Sequence, residues 1–141
     1  MALTETLHAS CVAHQGRGVL ILGPSGSGKS ALALQLMALG AALVADDCTT
    51  VWAEGDAVWA KAPPNLPALI EARGIGLLPV PALHPAAALG LVVDMGVDET
   101  QRLPPLRHYP VCGLTLPLVF RTTGPHFPPA IMHLLTHGRP I

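Results

Sequence analysis

The chain has 141 residues, half of them apolar and only 12% charged, with a formal net charge of −1. That profile excludes a disordered chain, and it offers no basic stripe to nucleic acid. No apolar run approaches the roughly 20 residues of a membrane-spanning helix, and Met1 to Ser10 lack the basic start and apolar core of a signal peptide. The length suits one core, so residues 1–141 are read as a single domain. Cys11, Cys48 and Cys112 are scattered and odd in number, which fits reduced thiols in a cytoplasm.

In chain order, residues 1–17 read as a short strand and turn carrying His8 and His14. The apolar run Gly18-Val-Leu-Ile-Leu22 predicts a buried strand. Gly23-Pro24-Ser25-Gly26-Ser27-Gly28-Lys29-Ser30 follows and satisfies G-x-x-x-x-G-K-[ST] in full. A helix is expected over 29–39, ended by Gly40. Ala42 to Ala45 predicts the next buried strand, which stops at Asp46-Asp47. Alternation in Thr49–Ala53 and Ala57–Lys61 around Glu54-Gly55-Asp56 predicts a hairpin. Residues 62–68 form a proline-rich loop, and 69–80 are too interrupted by glycine for a helix. Ala88 to Met95 predicts an apolar strand carrying Asp94. Residues 96–110 read as a polar, proline-rich connection, 113–120 as a last strand, and 128–137 as a C-terminal helix ended by Gly138. The strand–helix–strand start implies an α/β fold.

The strand–loop–helix context turns the glycine pattern into a phosphate site. Glycines let the loop wrap a phosphate, and the helix N-terminus adds partial positive charge. Lys29 is placed to reach the β and γ phosphates and Ser30 to ligate Mg2+, which points to a bound nucleoside triphosphate. The crossover runs strands 18–22 and 42–45 in one direction, so Asp46-Asp47 lie at the same sheet edge as the loop. Successive side chains point differently, so one carboxylate suits Mg2+ and the other suits a base on an attacking hydroxyl. Asp94, ending Leu89-Gly-Leu-Val-Val-Asp94, is a rival for the metal side. Glu71 and Arg73, set among glycines, suit metal and γ-phosphate contacts equally well as a surface ion pair. His133 and His137 read as the solvent face of the last helix.

These motifs, in order, resemble the catalytic domain of the HPr kinase/phosphorylase family. The resemblance rests on His8-Ala9 with Gly16-Arg-Gly-Val-Leu20, the loop at 23–30, Leu43-Val-Ala-Asp-Asp47, Glu71-Ala-Arg-Gly-Ile-Gly76 and, more loosely, Arg102-Leu103. It implies a P-loop kinase domain with a central mixed β-sheet and flanking helices. It implies ATP and Mg2+ as cofactors, and an HPr-type phosphocarrier protein as the partner phosphorylated on serine. Asp47 would be the base, and the acid in reverse. Lys29 would bind phosphates, and Ser30 and Glu71 would ligate Mg2+, with Asp46 on the metal side. His8 and Arg102 would assist near the reacting phosphate, and Asp94 becomes a strand-end residue. The chain resembles the short proteobacterial form that lacks the family's N-terminal domain; full-length members are hexamers, so a homo-oligomer is implied. The family's Pro-Gly-Arg-Asn-like loop, tied to dephosphorylation, is not matched at Arg121-Thr-Thr-Gly-Pro-His126. The kinase direction is therefore expected ahead of the phosphorylase. Two other readings fit the residues: a small-metabolite P-loop kinase and a non-catalytic nucleotide sensor.

Overall fold

A computed structural model describes residues 4–140. Its strands are β1 (Thr4–Leu7), β2 (Ala9–His14), β3 (Arg17–Leu22), β4 (Ala42–Ala45), β5 (Thr49–Glu54), β6 (Ala57–Lys61), β7 (Leu69–Ala72), β8 (Gly76–Pro79), β9 (Ala87–Asp98), β10 (Arg107–Val111) and β11 (Leu114–Arg121). Its helices are α1 (Lys29–Ala38) and α2 (Phe127–His137). Nine strands form one mixed sheet along the path β1-β5-β6-β9-β3-β2-β4, and β11 also joins β9, with β10 beyond it. β7 and β8 make a separate hairpin. The α/β class and mixed sheet expected from the sequence are what the chain adopts.

The sheet's long central strand, β9, runs parallel to β3 and β11 and pairs antiparallel with β6 at its start. Both faces of the sheet are covered, which explains the unbroken apolar runs of β3 and β9. Val19 and Ile21 face a core shared with Leu32, Leu36, Ile131 and Leu135 of the helices. Leu20 faces the opposite core, with Cys11, Val44, Val51 and Val58. Along β9 this alternation reverses. Ala87 and Leu89 join the second core, whereas Leu91 and Val93 join the helix side. The reversal sits at Gly90, where the register with β3 skips one residue, as a β-bulge does.

Helix α1 buries Lys29, Leu32, Ala33 and Leu36, the i, i+3, i+4, i+7 stripe of an amphipathic helix. It ends in a Schellman motif: the Gly40 N–H donates to Met37 O at 3.0 Å and the Ala41 N–H to Leu36 O at 3.1 Å. Gly40 takes φ +110 there, so its predicted stop role holds one residue past the cap. Helix α2 starts through Pro128 and Pro129, whose missing N–H groups cost nothing in a first turn.

Two stretches differ from the sequence expectation, as does the order of strands in the sheet. Residues before 17 form two strands, and β2 turns back tightly into β3 through Gln15-Gly16, both at positive φ. β2 also inserts between β3 and β4, antiparallel to each, so those two share a direction without touching. The connection expected over 96–110 instead extends β9 to Asp98 and then forms β10. Pro110 hides this strand from sequence reading. It is tolerated because β10 is an edge strand that pairs only with β11.

Candidate active site

β3 delivers the chain into the loop 23–28, and α1 begins at Lys29. The approach at Gly23 leaves no room for a side chain. At φ +144, a Cβ would collide with Ser27 Oγ and lie 3.2 Å from Met95 Cβ and the Gly96 amide. Gly28 caps α1 without any side-chain hydrogen bond, and no acidic residue occupies the first turn. The first amides of α1 are therefore open donors for an anion. Lys29 folds back over the loop, its Nζ donating to Gly23 O at 2.8 Å and Pro24 O at 3.1 Å. It is only 6% exposed, and no carboxylate pairs with it among the described residues. A buried ammonium without a counter-charge fits a phosphate ligand.

Asp46 and Asp47 end β4 side by side and play opposite parts. The Asp46 carboxylate is spanned by the protein. Its Oδ1 accepts from Ser10 Oγ and Ser30 Oγ, both at 2.7 Å, and its Oδ2 accepts from the Glu71 N–H at 3.1 Å. One carboxylate thus ties β2, the phosphate loop and β7 together. Asp47 sits in the left-handed region at φ +67, a conformation costing on the order of 1 kcal/mol for a residue with a Cβ. Its N–H donates to Ser10 Oγ at 3.1 Å, which holds it there. Its carboxylate is left exposed, 3.3 Å from His8 Nδ1. His8 Nε2 in turn lies 3.4 Å from Ser25 Oγ of the loop.

Glu71 reaches the same place by alternation on β7. Ile70 and Ala72 point into the core, so Glu71 points out. Ser25, Lys29, Ser30, Asp47, Glu71 and Arg73 line one open cleft. Asp46 lies behind it, in contact with Ser30 and not on the lining. Asp94, expected at a strand end, lies inside β9, which runs on to Asp98, and its Oδ1 accepts from the Gly96 N–H at 2.8 Å. Arg102 is in a neighbouring cleft with Glu99, Phe120, His126 and Phe127, and not with Lys29 or Asp47. Sequence reasoning missed Ser10. It is fully buried and its hydroxyl links both aspartates. The available signal was a lone serine inside the apolar strand that follows His8.

Hard oxygen donors, few carboxylates and a serine beside the loop suit Mg2+, which keeps water and phosphate oxygens among its ligands. Among the described residues, no group of three or more His, Cys, Asp or Glu gathers as a dedicated metal cage. Ser30 and Glu71 line the cleft with oxygen atoms that could hold such an ion.

The fold and the sequence resemble those of known proteins. A solved structure described as the Hpr(Ser) kinase/phosphatase from Coxiella burnetii superposes with a TM-score of 0.76 at 25% identity, covering 94% of each chain. The HPr kinase/phosphorylase of Geobacillus kaustophilus is 40% identical over 109 residues, which is 72% of this chain and 35% of that protein. That of Bacillus licheniformis is 42% identical over 90 residues, 63% of this chain and 29% of that protein. The chain thus spans about a third of the length of these two relatives. The family model for the HPr serine kinase C-terminal domain matches residues 1–95, which takes in the phosphate loop, both aspartates and Glu71. The chain belongs to the HPr serine kinase C-terminal domain family.

Proposed function

We propose that the chain is an ATP- and Mg2+-dependent serine kinase whose acceptor is an HPr-type phosphocarrier protein. The observation that carries this reading is Asp47. Its carboxylate is exposed at the mouth of the phosphate-loop cleft, beside His8, while its backbone is pinned from behind. A base on a protein hydroxyl needs that combination of access and fixed position. The names of the relatives, which state HPr kinase activity for those proteins, support the choice of acceptor.

Asp47 takes the proton of the acceptor serine as that oxygen bonds to the γ-phosphorus of ATP and the bond from that phosphorus to the bridging oxygen breaks, releasing ADP. His8 orients the carboxylate from its far side. Lys29 and the open amides of α1 would hold the phosphates, and Ser30 and Glu71 would hold Mg2+. The ion supplies charge neutralisation on the phosphates. Asp46 keeps Ser30 and the Glu71 backbone in register with Asp47. In the reverse direction Asp47 acts as the acid. The unmatched loop at Arg121–His126 leaves the kinase direction as the one proposed.

The test is incubation with Mg2+–ATP and the HPr-type protein of the same source, with the phosphate located by mass spectrometry. The expected result is phosphate on a single serine, lost in Asp47→Asn with nucleotide binding kept. Nucleotide binding without transfer would favour the sensor reading. Transfer to a small metabolite in preference to the protein would favour the metabolite kinase.

A further inference from the structure

A second pocket lies at the other end of the central strands, between the last turn of α2, β9 and the β10–β11 hairpin. We propose that it binds a small oxyanion, a carboxylate or phosphate group carried on an apolar body, through Arg139 and Arg17. Its volume is about 260 Å³, sized for a ring or short chain and too small for a nucleotide. Leu91, Leu118, Val119 and Leu134 form its apolar walls, and no aspartate or glutamate lines it.

The charge in this pocket is one-sided. Arg107 is satisfied: it holds Glu99 through two hydrogen bonds, at 3.0 and 3.2 Å, and lies over the Phe120 ring. Arg17 gives one N–H to Leu135 O at 2.9 Å. Its Nε and Nη2 rest above Gly90, where a Cβ would come within 3.1 and 3.2 Å of them. Arg139 is the unbalanced group. Its Nε and Nη2 are shut off from solvent and have no hydrogen-bond partner among the described residues. A guanidinium cannot shed its proton to relieve that burial. Two adjacent N–H donors form the fork that a planar carboxylate or a phosphate accepts. His108 also lines the pocket.

The pocket is separate from the phosphate loop. Arg17 opens β3 and the loop leaves its far end, five residues on, roughly 16 Å at 3.3 Å per residue. Filling it would tie the end of α2 to the sheet.

Titration calorimetry on the whole chain with benzoate and with phenyl phosphate tests the proposal. One saturable site is expected for at least one probe, and the preferred probe tells carboxylate from phosphate. Arg139→Gln should weaken it about tenfold or more, with Arg139→Lys between. Lys29→Ala should leave it unchanged. Leu106→Trp narrows the same pocket from an exposed lining position. It should abolish binding, and it decides the matter if Arg139→Gln does not fold. No binding of either probe up to about 10 mM would overturn the proposal. So would binding that ignores both pocket variants or that disappears with Lys29→Ala, which would place the anion in the phosphate loop.

Discussion

Two clefts open along the carboxyl ends of the central strands, and they are built in different ways. The phosphate-loop cleft draws side chains from the loop, α1, the end of β4 and the β7 hairpin, locked to one another through Asp46. The neighbouring cleft draws Gln101, Arg102 and His126 from the connections flanking β10–β11, set against Phe120 and Phe127. The first is cross-braced by hydrogen bonds to the Asp46 carboxylate. The second is apolar-floored and edged by exposed connection residues. The contrast suits a division between chemistry and recognition of a protein acceptor, and five measurements can break or sharpen it.

The largest effect is expected from Asp47→Asn. Transfer should fall by about 10² to 10⁴, the usual contribution of a general base, with nucleotide affinity nearly unchanged. Strong residual transfer would remove Asp47 from the chemistry. Lys29→Ala should lower turnover by about 10² and weaken nucleotide binding with it; a fall in only one of the two would mean the ammonium serves structure more than phosphate. Ser10→Ala leaves the half-buried Asp46 oxygen and the Asp47 amide short of a partner. It should cost about 1–3 kcal/mol in denaturant unfolding, and turnover should fall further than nucleotide affinity. Equal losses in both would reduce Ser10 to a stability role.

Arg102→Ala should raise KM for the protein acceptor a few-fold, about the worth of one exposed charge contact, with nucleotide affinity untouched. A change in nucleotide affinity instead would merge the two clefts. Smallest is a pH effect at the second cleft. Arg107 holds the Glu99 carboxyl below its ordinary value of 4.5. A lowered carboxylate contributes stability above its unfolded pKa and loses it as pH falls through the folded one. Glu99→Gln should therefore lower stability at neutral pH and flatten its acid decline below about 4.5. An unchanged acid limb would mean the pair contributes nothing.

The same contrast explains what could be read from the chain. The first cleft was legible because its parts are local: a loop of fixed spacing, an aspartate pair ending a short strand, and a carboxylate among glycines. Their convergence followed from the crossover rule, although β2 inserted between the two strands was not foreseen. Ser10 was invisible for that reason, since its contacts to Asp46 and Asp47 exist only once β2 lies next to β4. The second cleft depends on β10, which Pro110 disguised, and on where a long connection lays Arg102. Neither leaves a periodic signal. The Gly90 bulge is a similar case, because an apolar run looks the same whichever face its residues serve.

The backing of Gly23 has a consequence for how the protein folds. Beyond Ser27 Oγ within the loop, the atoms that confine it belong to Met95 and Gly96, more than 70 residues further along the chain. β3 meets β9 across a similar separation, so this pairing is among the slow, long-range events of folding. The phosphate loop looks like a contiguous motif, yet part of the packing behind Gly23 arrives only when β9 docks. A nucleotide that selects the shaped loop therefore selects the assembled sheet. Its binding energy should appear as cooperative stabilisation of the sheet against unfolding, growing with ligand concentration, and not as local ordering of residues 23–30.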